Sequence, residues 1–193
     1  MKYKACLLLA ALTALQPATA AADSEASMSF TIQGTAEQVC IMPDPTQSNA
    51  SNASFGTGNT ITVDEVIDDS DGTLNDASLK LSFKDVMCNY PARVVLRSEQ
   101  GALVRTTNTD VTAVSGSGQF KEEIDYRVVG NWGSVSFPEF STADGGPGYS
   151  VEVQASGANK ADMNLDFIID GSDEPVLLGS YKDTFVIEVG ITP

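Results

Sequence analysis

The segment TFVIEVGI, residues 184–191, alternates apolar and polar side chains more regularly than the rest of the chain. Phe185, Ile187, Val189 and Ile191 would share one face, and the residues between them would share the other. A two-residue period is typical of a β-strand with one face against a hydrophobic core. The pattern therefore predicts a core strand close to the carboxyl terminus.

Similar patterns recur upstream of this segment. Alternating or β-rich runs cover residues 28–33, 79–84, 94–96, 124–129, 149–154 and 165–170. Turn-forming sequences separate them, among them Asp71-Gly72, Asp170-Gly171 and DGGPG at residues 144–148. Residues 44–60, mostly small and polar, are predicted to form a long loop. Many short strands without helical periodicity predict an all-β fold, a sandwich of two antiparallel sheets.

The first twenty residues have the features of a secretory signal peptide. Lys2 and Lys4 precede an apolar run over residues 5–15, and Ala18-Thr-Ala20 offers small residues for cleavage after Ala20 or Ala22. The run is shorter than the roughly 20 residues that cross a bilayer. We therefore predict an exported chain without membrane insertion, consisting of an N-terminal segment, residues 21–38, and a single β-sandwich domain, residues 39–193.

Cysteine usage predicts one disulfide bond. Cleavage of the leader removes Cys6 and leaves Cys40 and Cys88. An even number of cysteines in an exported chain usually forms bridges, because the compartment is oxidising. Two free buried thiols are the alternative.

Charge and composition exclude several classes of function. The formal net charge of −15 repels nucleic acid and anionic lipid, so we expect neither as a partner. The absence of histidine removes the usual general base, the Ser-His-Asp triad and most zinc sites. We therefore predict no catalytic residue, no metal site and no cofactor.

Two arrangements of acidic residues offer alternative functions. Residues 68–72, DDSDG, are similar to a calcium-binding loop, but with Gly72 at the sixth position the first and twelfth would be Ile67 and Ser78 instead of carboxylates. A solvated turn is the preferred interpretation. A glycosidase-like carboxylate pair is the other alternative, and nothing in the sequence selects such a pair.

Several motifs, in order along the chain, give it a resemblance to a known family. A strand over residues 29–36 leads to Cys40, Phe55-Gly-Thr57 follows, a strand over residues 79–88 ends on Cys88, and Gly179-Ser-Tyr181-Lys-Asp183-Thr184 precedes the last strand. Asp125-Tyr-Arg127 and Trp132-Gly133 are weaker matches. The chain resembles the spore coat protein U domain family, which includes subunits of archaic chaperone–usher (Csu-type) pili. It departs from the family in a longer polar loop after Cys40, an acidic insert over residues 64–76 and an ending without an aromatic residue.

This resemblance implies a function. Such subunits have an immunoglobulin-like sandwich that lacks one strand, and a donor strand from the next subunit completes it. The implied partners are a periplasmic chaperone, an outer-membrane usher and neighbouring subunits of a homopolymer. The implied location is the periplasm and then a cell-surface fimbrium with a role in adhesion or biofilm formation. The residues Gly179, Tyr181, Asp183, Phe185, Ile187 and Val189 would then form the closing motif and the acceptor edge.

A candidate donor strand lies just after the leader. Met28, Phe30 and Ile32 share one face, which Gly34 and Ala36 extend with small residues. The alternative is that this segment is the first strand of the protein's own sandwich. The closing strand could likewise be an ordinary core strand instead of the edge of the acceptor groove. For Tyr181 and Asp183, a structural role in the turn that enters this strand is preferred over ligand binding.

Two other functions remain open. The first is a secreted carbohydrate- or surface-binding adhesin-type module that does not polymerise. Trp132, Tyr149 and the glycine-rich residues 144–148 would provide its ligand surface, because exposed aromatic rings stack on sugars. The second is a secreted hydrolase, which the missing catalytic residues disfavour.

Overall fold

The computed structural model describes residues 28–106 and 120–191. The predicted leader, residues 1–20, and residues 21–27 of the N-terminal segment lie outside the described residues. The chain separates into two units, residues 1–36 and residues 37–193. In the described ranges, no helix is long and apolar enough to cross a membrane.

Residues 37–106 and 120–191 are built from short antiparallel strands and one 3₁₀ turn at Thr142–Asp144. In the described part of this unit the strands are β1 (Cys40–Ile41), β2 (Thr46–Ser51), β3 (Ala53–Gly56), β4 (Thr60–Val63), β5 (Thr73–Leu74), β6 (Ala77–Cys88), β7 (Arg93–Ser98), β8 (Leu103–Arg105), β9 (Glu123–Ile124), β10 (Arg127–Trp132), β11 (Val135–Ser136), β12 (Phe140–Ser141), β13 (Ser150–Gln154), β14 (Asn159–Ile169), β15 (Ser172–Pro175), β16 (Tyr181–Lys182) and β17 (Phe185–Gly190).

The larger main sheet is organised around β6. Its strand order is β1-β6-β14-β10-β11, with β2 also paired to β6 and β12 also paired to β10. Leu79, Leu81 and Phe83 of β6 are buried at every second position, so one face of this sheet points into the core. The predicted strands over residues 79–84 and 165–170 lie in β6 and β14 and pair with each other.

The smaller main sheet has the order β13-β7-β17. The central strand β7 is the most buried of the three, and Val94 and Leu96 are each 1% exposed. These side chains join the same hydrophobic cluster as Leu79, Val128 and Leu165 of the larger sheet. The core therefore lies between two antiparallel sheets, which confirms the predicted all-β sandwich.

Three predicted local structures differ in the structure. The loop predicted over residues 44–60 is wrong, because β2 and β3 lie inside it. The backbone of β2 pairs with β6 in the register Ala50↔Leu79, although its mostly exposed polar side chains show no alternation. The strand predicted over residues 28–33 is absent, and residues 28–39 form no strand. The run over residues 124–129 is interrupted at Asp125 and Tyr126, which separate β9 from β10.

The predicted disulfide joins Cys40 of β1 to Cys88 at the end of β6. The two residues are also direct partners in the β1–β6 register. Their sequence separation is 48 residues. Closing a loop of this length lowers the entropy of the unfolded chain and stabilises the folded domain by about 4 kcal/mol.

The acidic insert, residues 64–76, is ordered by local hydrogen bonds. Asn52, whose φ of 52° is left-handed, donates from Nδ2 to the Glu65 carbonyl oxygen at 2.7 Å and accepts the Glu65 N–H at 2.8 Å. Asp68 Oδ1 accepts the N–H and hydroxyl of Ser70, and Asp71 Oδ1 accepts those of Thr73. The hydrogen bonds from the hydroxyl and then the N–H of Ser70 hold the pKa of Asp68 below its ordinary value. Both carboxylates thus close tight turns, as in the preferred interpretation of this segment.

Candidate functional site

The candidate site is the outer edge of β17, the last strand. β17 pairs with β7 in the register Phe185↔Ser98, Ile187↔Leu96 and Val189↔Val94. Because Val94, Leu96 and Ser98 are buried, their partners Phe185, Ile187 and Val189 also face the core. The alternation predicted for residues 184–191 therefore has its apolar face inward.

Backbone direction shows which groups lie on the outer edge. The Glu99 N–H donates to the Thr184 carbonyl oxygen at 3.0 Å, so residue 184 has its backbone groups directed at β7. Backbone groups alternate in direction along an antiparallel strand. The N–H and C=O groups of Phe185, Ile187 and Val189 consequently point away from β7. Within residues 28–106 and 120–191, no strand pairs with them.

Side-chain burial is incomplete along the same edge. Phe185, Ile187 and Val189 are half-buried and pack against the core cluster, whereas their β7 partners are fully buried. The opposite edge of this sheet is different, because β13 lies against β11 of the larger sheet and its exposed Glu152 pairs with Arg93 at 3.1 Å. An apolar strand edge without a partner is an association hazard unless another chain covers it. The β17 edge is therefore suited to receive an additional strand.

Phe185 anchors the start of this edge to the larger sheet. Its ring centroid lies 5.1 Å from that of Phe167, 5.2 Å from that of Phe140 and 6.2 Å from that of Tyr126. All three contacts are edge-to-face, a favourable geometry for aromatic pairs. Phe167 belongs to β14 and Phe140 to β12, so the aromatic cluster ties β17 across the sandwich.

Asp183, directly before β17, forms a second anchor. Its Oδ2 accepts hydrogen bonds from the Ser98 hydroxyl at 2.5 Å and the Tyr126 hydroxyl at 2.6 Å. Its Oδ1 accepts the N–H groups of Gln100 at 2.9 Å and Thr184 at 2.6 Å. This carboxylate thus connects the end of β7, the turn before β10 and the start of β17. The geometry agrees with the structural role predicted for Asp183 in the turn before the last strand.

Tyr181 and Gly179 complete the closing motif. Tyr181 lies in β16, which pairs with β8, and its hydroxyl donates to the Leu177 carbonyl oxygen at 2.5 Å. Gly179 lies in an exposed bend before β16. Both residues therefore shape the turn that leads into β17 and do not contribute to its outer edge.

Tyr126 makes the Asp183 anchor sensitive to high pH. Burial and then the hydrogen bond to Asp183 raise the pKa of Tyr126 above its ordinary value of 10.0. A raised pKa in the folded state means that the stabilisation is complete below pH 10 and is lost as the pH rises above it. We expect this group to lower the free energy of unfolding by about 1 kcal/mol between pH 10 and 11, because only part of the unfolded chains is ionised at pH 10.

Chemical denaturation at pH 8 to 11 measures this dependence. The pKa of Tyr181 is also raised, by burial, so it contributes with the same sign. Tyr126→Phe should remove most of the alkaline slope, and Tyr181→Phe is the matched control that should retain most of it. An unchanged slope in Tyr126→Phe would contradict the role assigned to this hydroxyl.

The candidate donor residues are exposed in the N-terminal unit. Met28, Phe30 and Ile32 are 77%, 80% and 95% exposed, and Gly34 and Ala36 are also exposed. Exposure of three large apolar side chains at two-residue spacing is unusual for a protein surface, where such residues occur singly. Residues 28–36 do not form a first strand of the protein's own sandwich, which was the alternative, because the structure has no strand in this segment.

The predicted aromatic ligand surface is wrong for Trp132. Its side chain is 0% exposed, and its Nε1–H donates to the Val86 carbonyl oxygen at 3.0 Å inside the core. Tyr149 is half-buried against Phe140, with ring centroids 5.2 Å apart. The two rings therefore do not form a shared exposed platform for stacking on a sugar.

A polar cleft of about 560 Å³ lies near residues 144–148. Its lining has acidic side chains, Glu99, Glu123 and Asp125, and no basic one. Among the described residues, no group of three or more His, Cys, Asp or Glu side chains is placed to hold a metal ion.

The sequence did not predict a role for Ser98 or Asn89, and it marked Tyr126 only as part of a weaker motif match. Ser98 continues the inward positions of Val94 and Leu96, and a polar residue at a core position of a strand is a signal for a buried hydrogen-bond partner. The role of Asn89, which binds the backbone of residues 37–39, had no sequence signal beyond its place next to Cys88.

Comparison of the chain with protein-family models, with curated proteins and with solved structures found no match. The fold and the edge define the class as a disulfide-bonded β-sandwich with an apolar closing strand whose outer edge has no partner among the described residues. Membership of a particular family is therefore a proposal that depends on the residues themselves.

Proposed function

We propose that this protein is a structural subunit of a bacterial surface fibre, assembled by donor-strand exchange. The observation that carries the proposal is the half-buried apolar outer edge of β17, formed by Phe185, Ile187 and Val189. The resemblance to the spore coat protein U domain family supports the same interpretation. A strand added to this edge would find backbone groups to bond and core positions to fill.

The N-terminal segment has the chemistry required of such a strand. Met28, Phe30 and Ile32 repeat every second residue, the same spacing as the inward side chains of β17. Burial of each side chain would contribute roughly 1.5–3 kcal/mol to association. Backbone hydrogen bonds along the strand would add affinity, and the alternating side chains would fix the register.

Strand addition between identical subunits produces a filament. The donor segment and the acceptor edge are different parts of the chain, so the contact is head-to-tail and does not close on itself. An exported subunit with an exposed apolar edge needs protection before assembly. We propose that a periplasmic chaperone covers the β17 edge and that an outer-membrane usher exchanges it for the next subunit's segment, with the fibre at the cell surface serving adhesion or biofilm formation.

We do not propose a catalytic function. The chain has no histidine, and the carboxylate of Asp183 accepts structural hydrogen bonds. A carbohydrate- or surface-binding module without polymerisation remains the alternative. The burial of Trp132 removes its strongest ligand residue.

The test is the association state of the purified mature chain. Strand exchange predicts a ladder of oligomers on gel filtration that persists in cold sodium dodecyl sulfate and collapses to monomer on boiling. A chain that is only monomeric under all assembly conditions, and that binds oligosaccharides on a glycan array, would favour the alternative function instead.

A further inference from the structure

The side chain of Asn89 continues the hydrogen bonding between the residues before β1 and the end of β6, beyond the two residue pairs of the β1–β6 ladder. The register pairs Cys40 with Cys88, and the next pair is held by the Asn89 N–H, which donates to the Val39 carbonyl oxygen at 3.1 Å. Continuing this register would place Glu37 opposite Pro91. Proline has no N–H, so the backbone ladder cannot donate at that position.

The Asn89 side chain supplies the missing hydrogen bonds. Its Nδ2–H donates to the Glu37 carbonyl oxygen at 2.8 Å, and its Oδ1 accepts the Val39 N–H at 2.8 Å. With the backbone bond to Val39, three hydrogen bonds from one residue hold residues 37–39. The Cys40–Cys88 disulfide fixes the next residue covalently.

The held residues directly follow the candidate donor segment. Ala36 is the last small residue on its apolar face, and Glu37 is the first residue bound by Asn89. In the proposed fibre, with Ala36 inserted as part of the donor segment, no unconstrained residue would separate the two. A connection without slack is stiff, because a flexible linker needs several unconstrained residues to change its end-to-end vector.

We propose that Asn89 is a positioning residue that makes the joint between consecutive subunits rigid. This inference rests on the proposed function, since residues 28–36 of one subunit would be inserted in its neighbour while residues 37–40 stay fixed on their own domain. The kind of partner is therefore a second copy of this chain. The bending stiffness of the fibre would depend on the Asn89 side chain, whereas the assembly of the fibre would not.

The experiment compares fibres assembled from the wild-type mature chain, Asn89→Ala and Asn131→Ala. The control is matched, because Asn131 also donates a 2.8 Å side-chain hydrogen bond to a backbone oxygen, that of Gly133 in a turn after β10. We expect Asn89→Ala to assemble with wild-type yield but to lower the fibre persistence length, measured on electron micrographs, by about twofold or more. Asn131→Ala fibres should be as stiff as the wild type.

Amide exchange of the unassembled mature chain separates the possible failures. The Val39 amide should exchange about tenfold faster in Asn89→Ala than in the wild type, because its acceptor is removed. An unchanged Val39 rate, or Asn89→Ala fibres as stiff as the wild type, would overturn this inference while the proposed function stands. If none of the three chains assembles, the proposed function fails instead, and the rigid joint fails with it.

Discussion

Replacing Phe30 and Ile32 together by aspartate is expected to abolish the oligomer ladder of the mature chain. The two side chains would lose roughly 1.5–3 kcal/mol each of burial in the neighbour's core, and two carboxylates would have to enter apolar surroundings. The burial loss alone lowers the association constant by at least about a hundredfold. Gel filtration and unboiled denaturing gels measure the result directly.

A matched control is available on the opposite face of the same segment. Ser29→Asp combined with Thr31→Asp adds the same charge to neighbouring positions that the alternation predicts to face solvent. This variant should retain the ladder. Deleting residues 21–36 should remove it and leave a folded domain. Normal assembly of the Phe30 and Ile32 variant, or of the truncated chain, would show that the fibre does not depend on this segment.

Asp183→Ala is expected to cause a large loss of stability, although Asp183 lies outside the hydrophobic core. The hydroxyls of Ser98 and Tyr126 and the N–H of Gln100 would lose their acceptor. An unpaired donor away from water costs about 1–3 kcal/mol, and water reaches part of this half-buried site. We expect the free energy of unfolding to fall by about 3 kcal/mol and the melting temperature by about 10 °C.

Two variants distinguish the loss of hydrogen bonds to Asp183 from the mere loss of a negative charge. Asp183→Asn keeps one acceptor oxygen and should lose about half as much stability, because the carboxamide nitrogen cannot accept. Asp173→Ala removes a carboxylate from an exposed position of β15 and should change stability by less than about 0.5 kcal/mol. Thermal unfolding followed by circular dichroism compares the three. Equal melting temperatures for Asp183→Ala and Asp173→Ala would contradict the anchoring role of Asp183.

The anchor matters for the proposed function because it fixes the strand that would receive the donor. Asp183 and Phe185 are adjacent to or within the β17 edge, and both connect it to the larger sheet. A receiving edge that is held in place does not have to be ordered during association, which lowers the entropic cost of adding a strand. Stability of this edge and efficiency of assembly should therefore change together.

Most strands with an alternating or β-rich sequence were predictable, although residues 28–33 alternate and form no strand. Four segments have enough apolar side chains at two-residue spacing to predict which face points inward: residues 79–84, 149–154, 165–170 and 184–191. The sequence of β2, TQSNAS, predicts no inward face. It is a strand because the edge of β6 offers backbone partners to Thr46, Ala50 and Ser51, a condition set by residues more than twenty-five positions away.

The candidate site shows the same division. The apolar face of β17 and the alternation around Phe30 were visible in the chain, since both depend on local order. The burial of Trp132 was not, because its nitrogen needs the Val86 carbonyl of another strand. Nor was the grouping of Ser98, Tyr126 and Asp183, which come from three separate segments.

The amino-acid order by itself determined that this protein is an all-β chain with a Cys40–Cys88 bridge and an apolar strand face near its carboxyl terminus, since period, turn residues and cysteine count are local properties. Only the tertiary structure decided which strand edge is without a partner among the described residues, which polar groups anchor it and which aromatic residue is buried. Those properties depend on pairing between distant segments, and a backbone edge or a side chain has a partner only where the fold brings one to it.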